Sequence, residues 1–255
     1  MRNSGREGYL YFEDVNWGLL RLWADQKGLE VLDVGCGFAT TSGRIQAMGN
    51  RVTGIECSAR ALAVAGTRLE RTIPMDLQDL AALCQNLGEK SFDALIFADV
   101  LEHLADPTVV LKAYLRLLRP GGTVLVSLPN VGLWSVRLSL LLGRWNYTDT
   151  GVLDRTHLRF FTWKSARSLL AEAGVETVKT TANPGLVRPF IPLIKKIMAP
   201  KGNAQGLDPS ALLDSGAYRA YLRVVHPVER VLASLWPPGL AFQMVFAGRV
   251  QGEKA

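Results

Sequence analysis

The sequence predicts an α/β protein with a mostly parallel sheet covered by helices on both faces. Two observations carry this. Short apolar runs alternate with longer amphipathic stretches along most of the chain, as strands and crossover helices do. The first clear run, Val31-Leu32-Asp33-Val34, passes directly into Gly35-Cys36-Gly37 and then into a helical segment. In such a strand–turn–helix unit the backbone can approach a ligand closely, and the helix start offers free N–H groups.

Each element follows from its local pattern. A helix is expected over residues 14–26, where Val15, Leu19, Leu22 and Trp23 share a face. Strands are expected at Glu30–Val34 and Arg51–Glu56, separated by a helix over 40–48 that stops at Gly49-Asn50. Ser58 is placed to cap a helix over 59–68. Residues 72–75 read as a short strand and Phe92–Ala98 as a stronger one. Pro107 opens a helix whose core face holds Val110, Leu111, Tyr114, Leu115 and Leu118. Pro120-Gly121-Gly122 then turns into a strand over 123–128. A helix over 163–173, closed by Gly174, and strands at 175–181 and 242–250 complete the alternation. Residues 130–161 and 184–240 break it and read as substrate-side inserts, the second partly helical.

The 255 residues suit a single domain, with an N-terminal helical segment over 1–28 and a core formed by 29–181 and 242–250. Apolar residues at 48% and charged residues at 20% exclude a disordered chain. The three cysteines, Cys36, Cys57 and Cys84, are odd in number and lack metal-ligand spacing. With no apolar leader, they point to a reducing cytoplasmic compartment and to no metal centre. From Val231 to Gly248 no charge occurs, but Pro237-Pro238-Gly239 interrupts the run. It therefore reads as a loop and a buried strand, not a membrane span.

Asp33 precedes the glycine turn by two residues. A carboxylate there would repel a pyrophosphate and suits a cationic cofactor. Thr40 stands where a dinucleotide fingerprint would have its third glycine. Glu56 ends the second strand, where an acid can accept hydrogen bonds from ribose hydroxyls.

Taken together, Asp33-Val34-Gly35-Cys36-Gly37, the segment Phe92 to Leu104 and Leu118-Arg119-Pro120-Gly121-Gly122-Thr123 resemble the class I S-adenosylmethionine-dependent methyltransferases. Ala39 stands at that family's third glycine position. The resemblance implies a Rossmann-like seven-stranded sheet of order 3-2-1-4-5-7-6 with the last strand antiparallel. It implies that Gly35 and Gly37 flank the methionine part of S-adenosylmethionine, with Asp33 and Cys36 also among the cofactor-binding residues, and that Glu56 binds the ribose. Asp76 would meet the adenine amino group, with Ala98 and Asp99 lining the cleft. Pro129-Asn130-Val131, Arg144-Trp145-Asn146-Tyr147 and the run Leu153 to Thr162 are similar to a bacterial branch associated with glycan and small-molecule O-methylation.

A hydroxyl acceptor calls for a base. The candidates are His157, in the insert after the fifth strand, and His103, after the fourth; each could instead be a hydrogen-bonded anchor. His226 reads as structural. Trp134, Trp145, Tyr147 and Trp163 could stack on a ring or serve as packing. The net charge is +6, and residues 186–230 hold seven of the bases against three acids. That insert is expected either to cap an anionic, lipid-linked acceptor at the inner face of the membrane or to be a solvated cap. No nucleic-acid module is evident. The competing readings are a non-catalytic scaffold that binds the cofactor, and an RNA or protein methyltransferase.

Overall fold

The computed structural model describes residues 15–186 and 221–250. Seven strands form one sheet: β1 (Glu30–Val34), β2 (Arg51–Glu56), β3 (Arg71–Pro74), β4 (Phe92–Ala98), β5 (Leu118–Pro129), β6 (Val175–Pro184) and β7 (Ala241–Val250). Their order is β3-β2-β1-β4-β5-β7-β6. The first five run parallel, while β7 lies antiparallel between β5 and β6. This is the order implied by the resemblance.

The helices are α1 (Trp17–Trp23), α2 (Thr40–Ala47), α3 (Ala59–Ala65), α4 (Leu80–Asn86), α5 (Pro107–Leu115), α6 (Trp134–Leu141), α7 (Trp163–Glu172), α8 (His226–Leu235) and α9 (Pro237–Leu240). Alternation along each strand divides the core into two layers. Leu32, Leu95, Phe97, Val124, Val126 and Phe246 face Leu111, Tyr114 and Leu170 of α5 and α7. Val31, Ala94, Ile96, Leu125 and Val245 face Leu19, Trp23 and Ile45 of α1 and α2. The apolar runs are thus continuous because both faces of the central strands are covered.

Local chemistry sets the helix starts. Ser58 caps α3, and Asp106 caps α5 ahead of Pro107 by accepting from the Val109 N–H at 3.1 Å. Thr162 and Ser165 form a reciprocal capping pair on α7.

Several expectations need correction. Pro120-Gly121-Gly122 lies within β5, which starts at Leu118 and bulges against β4 between Phe92 and Ala94. Leu118 is therefore a buried strand residue, not part of a helix. Residues 231–240, read as loop, belong to α8 and α9. The proline pair sits at the start of α9, where its missing N–H groups cost no helical hydrogen bond. Helices α4 and α6 were not anticipated. Most of the basic insert, including Arg188, Lys195, Lys196, Lys201 and Arg219 and the apolar stretch from Phe190 to Met198, lies outside the described residues.

Candidate active site

The acids singled out by the sequence gather at the carboxyl ends of the parallel strands. Gly35, just past β1, has φ +74°. A Cβ there would lie 2.8 Å from a Val100 methyl and 3.2 Å from Leu77. Both the conformation and the available space thus require glycine. The N–H groups of Gly35 and Cys36 each donate to the Ile55 carbonyl at 2.9 Å, fixing the turn to β2. Gly37 donates to Glu56 Oε2 at 3.1 Å, and Glu56 Oε1 accepts from Cys57 and Ser58 at 2.9 and 2.7 Å. Glu56 therefore organises the turn from the end of β2.

Asp33 is buried, and its Oδ1 has no hydrogen-bond partner. Burial raises its carboxyl to about 7, Ser42 works against this, and the Glu56 charge adds to it. Such a group gains from a nearby cation. Burial, with the Asp33 and Glu56 charges, also pushes the Cys36 thiol up, which disfavours the thiolate. Asp76 follows β3 and is exposed, its Oδ1 accepting from the Gln78 N–H at 3.0 Å. Ala98 ends β4 beside Ser127. Asp99 takes φ +56°, and its Oδ2 accepts from Ser127 Oγ at 3.2 Å and from Gln243 Nε2. Gln243 Oε1 accepts in turn from Asn183 Nδ2 at 2.5 Å, which also donates to Asn16 Oδ1 at 2.8 Å. This amide chain spans β7, β6 and the start of α1. It carries no sequence motif, so the pattern gave no signal for it.

A second group assembles next to these acids. Leu101–His103 forms a short 3₁₀ turn after β4. The Glu102 carbonyl accepts from the N–H groups of Leu158 and Arg159 at 2.8 and 3.0 Å, clamping the insert against the turn. The rings of His103 and His157 meet edge to face, with centroids 4.8 Å apart. The Nδ1 of His157 lies 3.2 Å from the Val152 carbonyl and that of His103 3.3 Å from the Thr156 carbonyl. A carbonyl only accepts, so His157 Nδ1 carries the proton and its Nε2 is the basic nitrogen; His103 Nδ1 also lies 3.3 Å from the Thr156 hydroxyl. Burial lowers the His157 pKa, which favours the neutral ring. Asp154 supports the loop by accepting from the Thr156 N–H and Oγ1 at 2.8 and 2.7 Å. Arg155 pairs with Asp149, not with His157. Phe160, Trp145 and Tyr147 extend an aromatic wall from His157, whereas Trp163 packs on Phe246 of the sheet.

Glu102 is 1% exposed, and neither carboxyl oxygen has a hydrogen-bond partner. Burial, then the Asp99 and Asp154 charges, hold its pKa well above the usual carboxylate range. Among the described residues, Glu102, His103 and His157 are the set able to ligate a metal, with ligand atoms within 4.8 Å of one another. Atoms bound to one zinc ion stand about 3.4 Å apart, so this set would have to contract. Glu102 and His103 are neighbours in sequence, and the distance from them to His157 conceals the grouping.

A family model described as a methyltransferase domain matches residues 9–180. The chain is 38% identical over 112 residues to a ubiquinone biosynthesis O-methyltransferase of Xanthomonas oryzae pv. oryzae (strain PXO99A), covering 42% of this chain and 45% of the relative. It is 28% identical over 155 residues to the protein so named in Cereibacter sphaeroides (strain ATCC 17029 / ATH 2.4.9), covering 60% and 62%. The matches thus span about half the length of these curated relatives. The fold is similar to a SAM-dependent methyltransferase from Archaeoglobus fulgidus, with TM-score 0.56, 14% identity and 90% of each chain covered. The chain belongs to the methyltransferase-domain family, in its class I S-adenosylmethionine-dependent form.

Proposed function

We propose that this protein transfers the methyl group of S-adenosylmethionine to a hydroxyl oxygen of a small molecule or glycan. The observation that carries the reading is His157, its Nδ1 on the Val152 carbonyl so that Nε2 is basic, in a ring packed edge to face on His103 just after β4. When bound, S-adenosylmethionine supplies an electrophilic methyl group on a cationic sulfur. Asp33 would face its positive charge. Gly35, Cys36 and Gly37 would bring the backbone close, Glu56 would take the ribose, and Asp76 would take the adenine amino group. Ala98 and Asp99 would line the cleft. His157 Nε2 would accept the acceptor's hydroxyl proton as the new oxygen–carbon bond forms and the methyl carbon–sulfur bond breaks, with S-adenosylhomocysteine as the leaving group. His103, edge-on to His157, would position it. The aromatic wall from Trp145 to Phe160 suits a ring or a sugar face, and the O-methyltransferase relatives support an oxygen acceptor. The basic composition of the second insert supports an anionic, lipid-linked acceptor.

The test is incubation with methyl-labelled S-adenosylmethionine and a cell extract split into lipid, glycan, small-molecule, protein and RNA fractions. Label is expected in a lipid, glycan or small-molecule fraction and is lost on Gly35→Arg. Label confined to RNA or protein would overturn the acceptor class.

A further inference from the structure

We propose that α6 and α8 together form a docking face for an anionic lipid bilayer. The argument begins with the orientation of α8. Its buried residues are Glu229 and Ala233, 2% and 1% exposed. Its outward stripe, with the turn before it, is Val224, Val228, Val231 and Leu235, at the four- and three-residue spacing of one helical face. The burial pattern is inverted: a carboxylate faces the protein and the large aliphatic residues face solvent. Leu235 is 75% exposed. Helix α6 repeats this at its end, where Leu141 is 83% exposed beside the exposed Leu142. The two helices meet where Arg137 stacks over the Trp236 ring at 5.8 Å and also reaches the Pro238 carbonyl.

Charge identifies the occupant. Residues 134–144 and 221–240 contain four arginines, Arg137, Arg144, Arg223 and Arg230, all exposed. Their one acid is Glu229, and it is buried. Aliphatic residues and tryptophan bordered by arginine, with no exposed carboxylate, match the requirements of an anionic membrane interface. A second copy fits poorly, because a two-fold contact would set the same arginines against each other. No helix among the described residues is long and apolar enough to cross a membrane, so the face would lie on the surface. Helix α6 leads into the loop bearing Trp145 and Tyr147, so docking would turn the acceptor side of the cleft toward the bilayer.

The experiment is co-sedimentation of the full-length protein with vesicles of phosphatidylcholine alone, or with about one third phosphatidylglycerol. Binding to the anionic vesicles is expected to be about tenfold stronger and to weaken with salt. Leu141→Glu combined with Leu235→Glu should abolish it while S-adenosylmethionine binding persists. Leu141→Ser with Leu235→Ser carries the same expectation should the acidic pair fail to fold. No wild-type binding, or binding unchanged in the folded double variant, would overturn the proposal. So would a dimer in analytical ultracentrifugation that the variant dissolves, without vesicle binding. Vesicle binding is read without turnover, so its failure is distinct from failure of the acceptor reading.

Discussion

His157 and His103 stand edge to face across the boundary between the 3₁₀ turn after β4 and the long insert, held there by the two hydrogen bonds to the Glu102 carbonyl. With Nδ1 of His157 donating to Val152, its basic nitrogen is fixed. His157→Ala is expected to lower kcat by about 100-fold or more with little change in cofactor affinity. His103→Ala should cost less and shift the acidic limb of the pH–rate profile. Steady-state kinetics and cofactor titration check both.

Asp33 gives a pH dependence with a definite sign. Its folded-state pKa is about 7, while an unfolded aspartate titrates near about 3.9. Below that value both states hold the proton, and the group is neutral to stability. Between roughly pH 4 and 7 the folded state keeps a proton that the unfolded state has lost, so apo stability falls as pH rises. Asp33→Asn should remove this slope and stabilise the apo protein above pH 7 by up to about 4 kcal/mol, about 1.36 kcal/mol for each pH unit between the two pKa values. Glu102, raised by burial, acts with the same sign. Conversely, affinity for the cationic cofactor should increase as pH approaches 7 and Asp33 ionises. Denaturant curves and cofactor titrations at pH 5 and 8 read the two effects.

The turn offers two opposed substitutions. Ala39 adopts φ +55° at the start of α2, a conformation that strains any residue with a Cβ. Ala39→Gly should stabilise the protein by about 0.5–1 kcal/mol, seen as a raised denaturation midpoint. Gly35→Ala meets both a positive φ and the Val100 methyl at 2.8 Å. It should lose at least about 1–2 kcal/mol and weaken the cofactor markedly.

Gln243 is a positioning residue for Asp99, to which its amide donates. Gln243→Ala should weaken cofactor binding about tenfold, the loss of one charge-assisted hydrogen bond, while leaving kcat at saturation nearly unchanged. Gln243→Glu should be worse, since it sets two carboxylates together.

Much of this was readable before any coordinates. β1, β2 and β4 are apolar runs long enough to be recognised alone, and Asp33, Gly35 and Glu56 fall at fixed distances from strand ends. β3 was weak because it has one fully buried position, Ile73, in four. α6 and α8 were missed or misread because their apolar residues face outward, so the usual link between periodicity and burial fails there. The Glu102–His103–His157 group and the Asn16–Asn183–Gln243–Asp99 chain depend on pairings between distant segments. Such contacts leave no trace in local pattern.

β7 carries a consequence for how the molecule comes into being. Among the described residues, β5 and β6 are joined to the same sheet through β7, which pairs with both. On the ribosome, β7 is the last of the seven strands to emerge. Until then β5 presents an open edge and β6 has nothing to pair with, however complete the cofactor-binding half has become. Completion of the sheet is therefore a late event that crosses a long stretch of chain. A nascent chain halted before Ala241 would expose an adhesive edge next to an already folded cradle, the kind of half-made surface that chaperones and proteases read.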